Sequence, residues 1–300
     1  MQRFSSISVI FNPNSTGNAK QQAEDLRSDL APLLPDLPVQ LLPTEHAGHA
    51  VELAYKVAKS AATGDFPLII SASGDGGYNE VINGALRAQT EGATPVCAVL
   101  PSGNANDHAR TMLDDELANL IVKGDVKMLD LLQVTATAPD GKVLERYAHS
   151  YIGLGLTPVV AVELNKYTLN SFKEAWIILK TFWNLRPVVV RTSDKTVRID
   201  SLVCSLIPEM AKVLTISDKT QPCDGMFELT VFPHNHKLEL IWRLFKGVVS
   251  NMEAQSRQHD YECTILQDVP IQLDGEILEF NKNTRLQVSI RPHFIRTVIS

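Results

Sequence analysis

The sequence predicts an α/β N-terminal domain, a parallel sheet with flanking helices, followed by a mainly antiparallel β-sandwich C-terminal domain with helical insertions. Two features of the chain point there. Up to about Leu131, short runs that are apolar throughout alternate with helical stretches, the texture of parallel strands covered by helices. Beyond that point strand-like runs follow one another, several separated by turn signals such as Pro139-Asp140-Gly141 and Asp224-Gly225. A chain of 300 residues has room for two cores, which places the domains at 1–131 and 132–300, the last strand being free to return to the first.

The first half reads in order as strand Ile7 to Phe11, helix Ala19 to Leu34, strand Val39 to Leu42, helix Ala47 to Ala61, strand Leu68 to Ala72, helix Tyr78 to Ala88 and strand Val96 to Leu100. Sheets of this kind bind ligands at the carboxyl ends of their strands. Those ends carry NPNSTG, TEHAGHA, SGDGGYNE and PSGNANDHAR, so four polar loops are expected along one sheet edge. The second half reads as strands Leu131 to Thr137, Tyr147 to Gly153, Val188 to Arg191, Val197 to Leu206, Ala211 to Ile216, Met226 to Phe232, Cys263 to Gln267 and Leu286 to Ile290. Helical insertions are expected at Ala161 to Leu185 and Leu238 to Val249.

Composition narrows the function classes. Hydrophobic content of 44% and charged content of 21% are those of a folded globular chain. A formal net charge of −6 argues against a dedicated nucleic-acid binder, which needs a basic surface. The opening MQRFSSISVIFNP lacks the features of a signal peptide and reads as a first strand, and no apolar run reaches the ~18 residues of a membrane span. Cys97, Cys204, Cys223 and Cys263 form no CxxC pair, which suits a reducing cytoplasm.

In SGDGGYNE a strand runs into Gly74, Gly76 and Gly77 and then into a helix holding Asn79 and Glu80. Glycines let backbone N–H groups face phosphate oxygens, and the helix adds its positive end; the same glycines also serve an ordinary strand-to-helix turn. The loop fits neither GxGxxG, because Asn79 replaces the third glycine, nor GK[ST]. An acid inside such a loop, Asp75, implies magnesium or proton transfer, unless it is a solvated turn residue. PSGNANDHAR offers Gly103 for close approach and the amides of Asn104 and Asn106, with Asp107 placed to cap the following helix.

Taken in order, NPNSTG, Thr44 to Ala50 (TxxxGHA), Gly74 to Gly84 (GDGxxNEVxNG) and Pro101 to Arg110 (PxGxxNDxAR) resemble the diacylglycerol kinase catalytic domain. The likeness is to bacterial diacylglycerol kinases and YegS-like lipid kinases, which are similar also to sphingosine and ceramide kinases. It extends through Cys223 to Leu229 (CDGMFEL) and Leu273 to Glu276 (LDGE). The resemblance implies an NAD kinase/diacylglycerol kinase-like fold, ATP and Mg2+ as cofactors, and a lipid substrate met at a membrane surface, in phospholipid biosynthesis. It places nucleotide at Asn12, Thr44, Ser73, Gly74, Asp75, Gly76, Gly77, Tyr78, Asn79, Ser102, Gly103 and Asn104. Asp274, Glu276 and Asp75 become the expected catalytic residues, Asp274 as base. Asp224, with backbone carbonyls of Gln221 and Met226, becomes the expected site of a structural magnesium. No nucleic acid is expected as partner; a cytoplasmic protein with peripheral contact at the inner membrane face, and a homodimer, are compatible with the resemblance.

The chain also departs from the family pattern. Gly77 and Asn104 stand where the family usually has threonine, removing two hydroxyls, and SLIPEMAKV, ending at Val213, replaces a stretch that usually carries asparagine and a glycine-rich turn. Lys166, Lys173 and Lys180 fall on one helical stripe, suited to anionic headgroups or simply to solvent. The pairs His46/His49 and His234/His236 have no recognisable third metal ligand. An NAD kinase-like enzyme, which shares a GGDG-type loop, and a catalytically silent nucleotide-binding protein are the alternatives.

Overall fold

The computed structural model describes residues 4–15, 17–158, 186–193, 195–210, 214–215, 220, 222–234 and 256–300. The expected helices at 161–185 and 238–249, with the lysine stripe, lie outside these residues, as do Gln221 and His236. The chain divides into two compact units, Met1–Asp130 with His293–Ser300, and Leu131–Pro292.

The first unit alternates strand and helix as its apolar runs require: β1 (Ser6–Phe11), α1 (Ala19–Leu30), β2 (Val39–Pro43), α2 (His49–Ser60), β3 (Pro67–Ser73), α3 (Asp75–Gln89), β4 (Val96–Pro101), α4 (Asp107–Met112) and α5 (Leu117–Lys123). β1 pairs in parallel with both β2 and β3, and β3 with β4, so the strands lie in the order β4-β3-β1-β2. Ile7, Val9, Phe11, Leu68 and Ile70 pack on α1 and α5 residues such as Ala23, Leu26 and Leu120. On the helix pair α2 and α3, a Cβ at Gly84 would lie 2.2 Å from the Val51 carbonyl oxygen, so the glycine of the NEVxNG motif serves helix packing. The order in which strands are added reverses at β1, with β2 on one side of it and β3 on the other. A crevice for ligand is therefore expected outside their carboxyl ends.

The second unit takes up β5 (Val126–Thr137) from Leu131 onward and continues with β6 (Val143–Ala148), β7 (Tyr151–Gly155), β8 (Val188–Arg191), β9 (Thr196–Ser205), β10 (Glu209–Met210), β11 (Leu214–Thr215), β12 (Phe227–Pro233), β13 (Ser256–Gln258), β14 (Asp260–Ile265), β15 (Val269–Leu273), β16 (Glu276–Phe280) and β17 (Arg285–Val298). Residues of β17 from His293 belong to the first unit, where Arg296 and Thr297 pair in parallel with β4. Within the second unit the strands pair antiparallel along β16-β15-β7-β9-β8-β14-β17, with β12 on β9 and β13 on β12. Their apolar faces share one core that includes Ile152, Leu202, Phe227, Ile271 and Val288.

The expected strand Tyr147 to Gly153 is two strands, because the backbone turns at His149 and Ser150 between β6 and β7. No disulfide joins the four cysteines. Burial pushes the Cys97 and Cys263 thiols up to about 12 and raises that of Cys204 as well, while Cys223 is half-buried. A thiol held so far above neutral pH carries almost no reactive thiolate. Native protein treated with iodoacetamide near neutral pH is therefore expected to be modified at Cys223 alone, as read by mass spectrometry; fast labelling of Cys97 would contradict the packing of β4.

Candidate active site

The glycine loop is shorter than its sequence implies. Helix α3 begins at Asp75, not Tyr78, with Gly74 as its extended N-cap, and the first intrahelical bond runs from Tyr78 N–H to Gly74 C=O at 3.1 Å. The amides of Gly76 and Gly77 therefore precede that bond and have no acceptor inside the helix. Both glycines are half-buried at the carboxyl end of β3. Such an N-terminus favours an anion through its N–H groups and its dipole.

Three of the four loops approach one another backbone to backbone. A Cβ at Gly103 would stand 2.3 Å from Gly74 Cα, and one at Gly17 would stand 1.8 Å from the Ser102 carbonyl oxygen. Only glycine permits either approach, so NPNSTG, SGDGG and PSGNAND form one stack. The Ser102 N–H donates to Ser73 C=O at 2.9 Å, and its hydroxyl lies within hydrogen-bond reach of two acceptors, Gln22 Oε1 of α1 and Leu100 C=O. Thr44 joins the fourth loop to this edge, its N–H donating to Phe11 C=O at 2.8 Å. Gly48 N–H reaches the Glu80 carboxylate at 3.3 Å, tying the TEHAGHA loop to α3.

The residues expected to hold nucleotide separate into two kinds. Asn12 and Asn104 are exposed, Thr44 and the glycines half-buried, and Asn12 Oδ1 accepts the Asn14 N–H at 2.9 Å. Tyr78, by contrast, is fully buried with its hydroxyl 2.8 Å from Thr297 Oγ1; Asn79 is buried and accepts from the Asn83 amide at 3.0 Å; Ser102 is buried. The side chains of this second group brace the loops. Gly77 has a local cause too, since a Cβ there would meet the Ser73 side chain at 2.6 Å. With Ser73 in place, no hydroxyl-bearing residue fits at position 77.

Asp75 is engaged by a neighbouring helix. Its carboxylate oxygens accept the backbone N–H groups of Asp107 at 3.1 Å and His108 at 3.0 Å, the opening amides of α4. This resolves how an acid is tolerated within an anion-binding turn: its charge caps a neighbouring helix. Asp107, expected as the cap, is instead the first helical residue, and the N-cap Asn106 makes no side-chain cap bond. Asn106 holds Gly103 instead, accepting its N–H and donating to its C=O, each at 2.9 Å.

The described residues add Glu52 to the His46/His49 pair, the ligand atoms of all three lying within 4.8 Å. His49 Nδ1 accepts the Glu45 N–H at 3.0 Å, so a neutral ring keeps its proton on Nε2 and offers no lone pair to a metal. His234 Nδ1 lies 2.8 Å from Asp200 Oδ1.

Residues 6–134 match the family model described as the diacylglycerol kinase catalytic domain. The match spans less than half of the chain. Over 132 residues the chain is 33% identical to a diacylglycerol kinase of Bacillus subtilis, a match spanning 42% of this chain and 41% of that protein. Across its whole length the chain superposes on two Bacillus anthracis structures described as diacylglycerol kinases, with TM-scores of 0.71 and 0.72 at 17% identity, covering 98% and 99% of those chains. The fold is also that of yeast NADH kinase complexed with NADH, with a TM-score of 0.53 at 9% identity over 84% of that chain.

Beyond the catalytic-domain match lie the LDGE residues. Asp274 and Gly275, at φ 48° and 99°, form the two-residue turn of the β15-β16 hairpin, in which Leu273 pairs with Glu276. This is the Asp-Gly turn that a tight hairpin selects. Asp274 is fully buried, and its carboxylate accepts the N–H groups of His149 at 2.6 Å, Ser150 at 2.9 Å and Tyr151 at 2.8 Å. Those bonds account for the break between β6 and β7. Glu276, two residues on, is half-buried.

The carboxylate expected to hold a structural magnesium is engaged by a side chain. Asp224 Oδ1 accepts the Met226 N–H at 3.1 Å, and its Oδ2 is bonded by the Arg257 guanidinium. A divalent cation on the same carboxylate would face that fixed positive charge, so these residues do not fit a structural magnesium.

Proposed function

We propose that the protein is an ATP-dependent lipid kinase that moves the γ-phosphate of ATP to a hydroxyl of diacylglycerol or a related lipid. The observation that carries this reading is the glycine-on-glycine stack of loops at the carboxyl ends of parallel strands, within a segment matching a kinase catalytic domain. Phosphoryl transfer asks mainly for positioning and charge neutralisation. The amides of Gly76 and Gly77 and the positive end of α3 receive phosphate oxygens, while Asn12, Thr44 and Asn104 lie on the surrounding loops to orient the nucleotide. Mg2+ bound with the nucleotide would supply neutralisation of its phosphates; Asp75, held by α4, is not assigned as its ligand.

In the transfer, the lipid hydroxyl oxygen bonds to the γ-phosphorus, the bond from that phosphorus to the β–γ bridging oxygen breaks, and ADP leaves. The hydroxyl proton passes to a carboxylate. We assign it to Glu276, which is partly exposed, rather than to the buried Asp274. A lipid acceptor would be met by peripheral contact with a membrane; among the described residues no helix is long and apolar enough to cross one.

Glu276→Gln is expected to lower kcat by about 100-fold while leaving ATP affinity and Tm unchanged. Steady-state kinetics with diacylglycerol in mixed micelles checks this; an unaltered kcat would remove Glu276 from the reaction. Phosphorylation of NAD in place of every lipid offered would favour the NAD kinase-like alternative, to which the yeast NADH kinase fold gives support.

A further inference from the structure

The turn at Asp224 carries a feature that its resemblance to a metal-binding turn does not anticipate. Arg257 on β13 lies directly opposite Glu228 on β12, the two being partners in the antiparallel register. From there its guanidinium reaches two carboxylates, bonding Asp224 Oδ2 through Nη2 and lying 3.2 Å from Glu228 Oε1 through Nε. The Glu228 side chain is only 3% exposed and that of Asp224 22% exposed. Two carboxylates this close, one of them buried, need a positive charge between them. Two further groups of the turn are held by chain atoms: Met226 N–H on Asp224 Oδ1, and His259 Nδ1 2.9 Å from Gly225 C=O.

We infer that Arg257 is the resident cation of this turn and takes the place of a bound divalent ion, so that the second unit folds without metal. A guanidinium suits the role, since it bonds the Asp224 carboxylate while its charge, permanent at any accessible pH, lies beside that of Glu228. Any divalent requirement of the protein then belongs to its nucleotide. The inference is independent of the phosphate acceptor, because neither nucleotide nor lipid enters its test.

The test is thermal unfolding of the full chain in EDTA and in a MgCl2 series, at constant ionic strength and without nucleotide. Wild type is expected to show the same Tm throughout. Arg257→Gln is expected to unfold roughly 4–8 °C lower in EDTA, with Mg2+ or Ca2+ recovering part of the loss, because the two carboxylates are left to gather a cation. Arg257→Lys, which keeps the charge but not the guanidinium, is expected to fall between. A wild-type Tm that drops in EDTA and is restored by Mg2+ would overturn the inference, whatever the variants do. So would an Arg257→Gln protein as stable in EDTA as wild type.

Discussion

Gly103→Ala is expected to lower kinase activity by about 100-fold or more, because the added methyl has no direction in which to yield. Its Cβ would lie 2.3 Å from Gly74 Cα and 2.9 Å from Gly74 N, both backbone atoms at the start of α3. Relief requires the two loops to part. That displaces the Gly76 and Gly77 amides from the γ-phosphate position, and a misplacement of about 1 Å costs about 100-fold in a positioned reaction. Nucleotide affinity is expected to fall with kcat, which isothermal titration with ATP reads separately. Gly92→Ala is the control, since nothing lies within 4 Å of its Cβ, although its φ of +92° carries a backbone cost remote from the loops. Equal ATP affinity in Gly103→Ala and wild type would contradict the loop stack as the nucleotide site.

Asp274→Asn is expected to destabilise the protein by roughly 3 kcal/mol, or roughly 6–12 °C in Tm. Asparagine tolerates the left-handed backbone at this position, so the substitution changes little besides the carboxylate. If its carbonyl keeps the Oδ1 place, accepting from Ser150 and Tyr151, its NH2 must face the His149 N–H, donor against donor in a site with no solvent exposure. A residue that served only as a catalytic base would leave Tm untouched. Differential scanning calorimetry of wild type, Asp274→Asn and Glu276→Gln separates the roles: loss of stability for the first alone is the expected pattern.

How much of this was legible in the sequence depends on the reach of each residue's partner. The parallel strands and the four loops could be read because apolar runs, glycines and caps are local signals, and Gly74 to Gly77 announced an N-terminus whatever lay elsewhere. The start of α3 at Asp75 was not legible, since glycines read as loop even where they fill a first helical turn. Asp75 looked like an active acid because its acceptor role is to amides 32 and 33 residues away. Asp274 looked like a base because the amides it holds are 123 to 125 residues away. Arg257 gave no signal at all. Only the β12-β13 register sets it opposite Glu228, and no local pattern predicts that pairing.

The same distinction explains Gly77 and Tyr78. Position 77 looked like a lost hydroxyl until Ser73 was seen to fill the space. Tyr78 looked like a nucleotide contact, yet its partner Thr297 comes from the returning C-terminal strand, 219 residues on. Motif spacing identified which loops matter. Which residues face the ligand and which build the loop required the fold.

The most direct measurement is transfer of label from γ-labelled ATP to diacylglycerol in mixed micelles, with wild type and Gly103→Ala side by side. The account predicts labelled lipid phosphate with wild type and a loss of about 100-fold with the variant. Tight ATP binding by wild type with no label on any lipid hydroxyl, across a panel of acylglycerols and sphingoid bases, would contradict it.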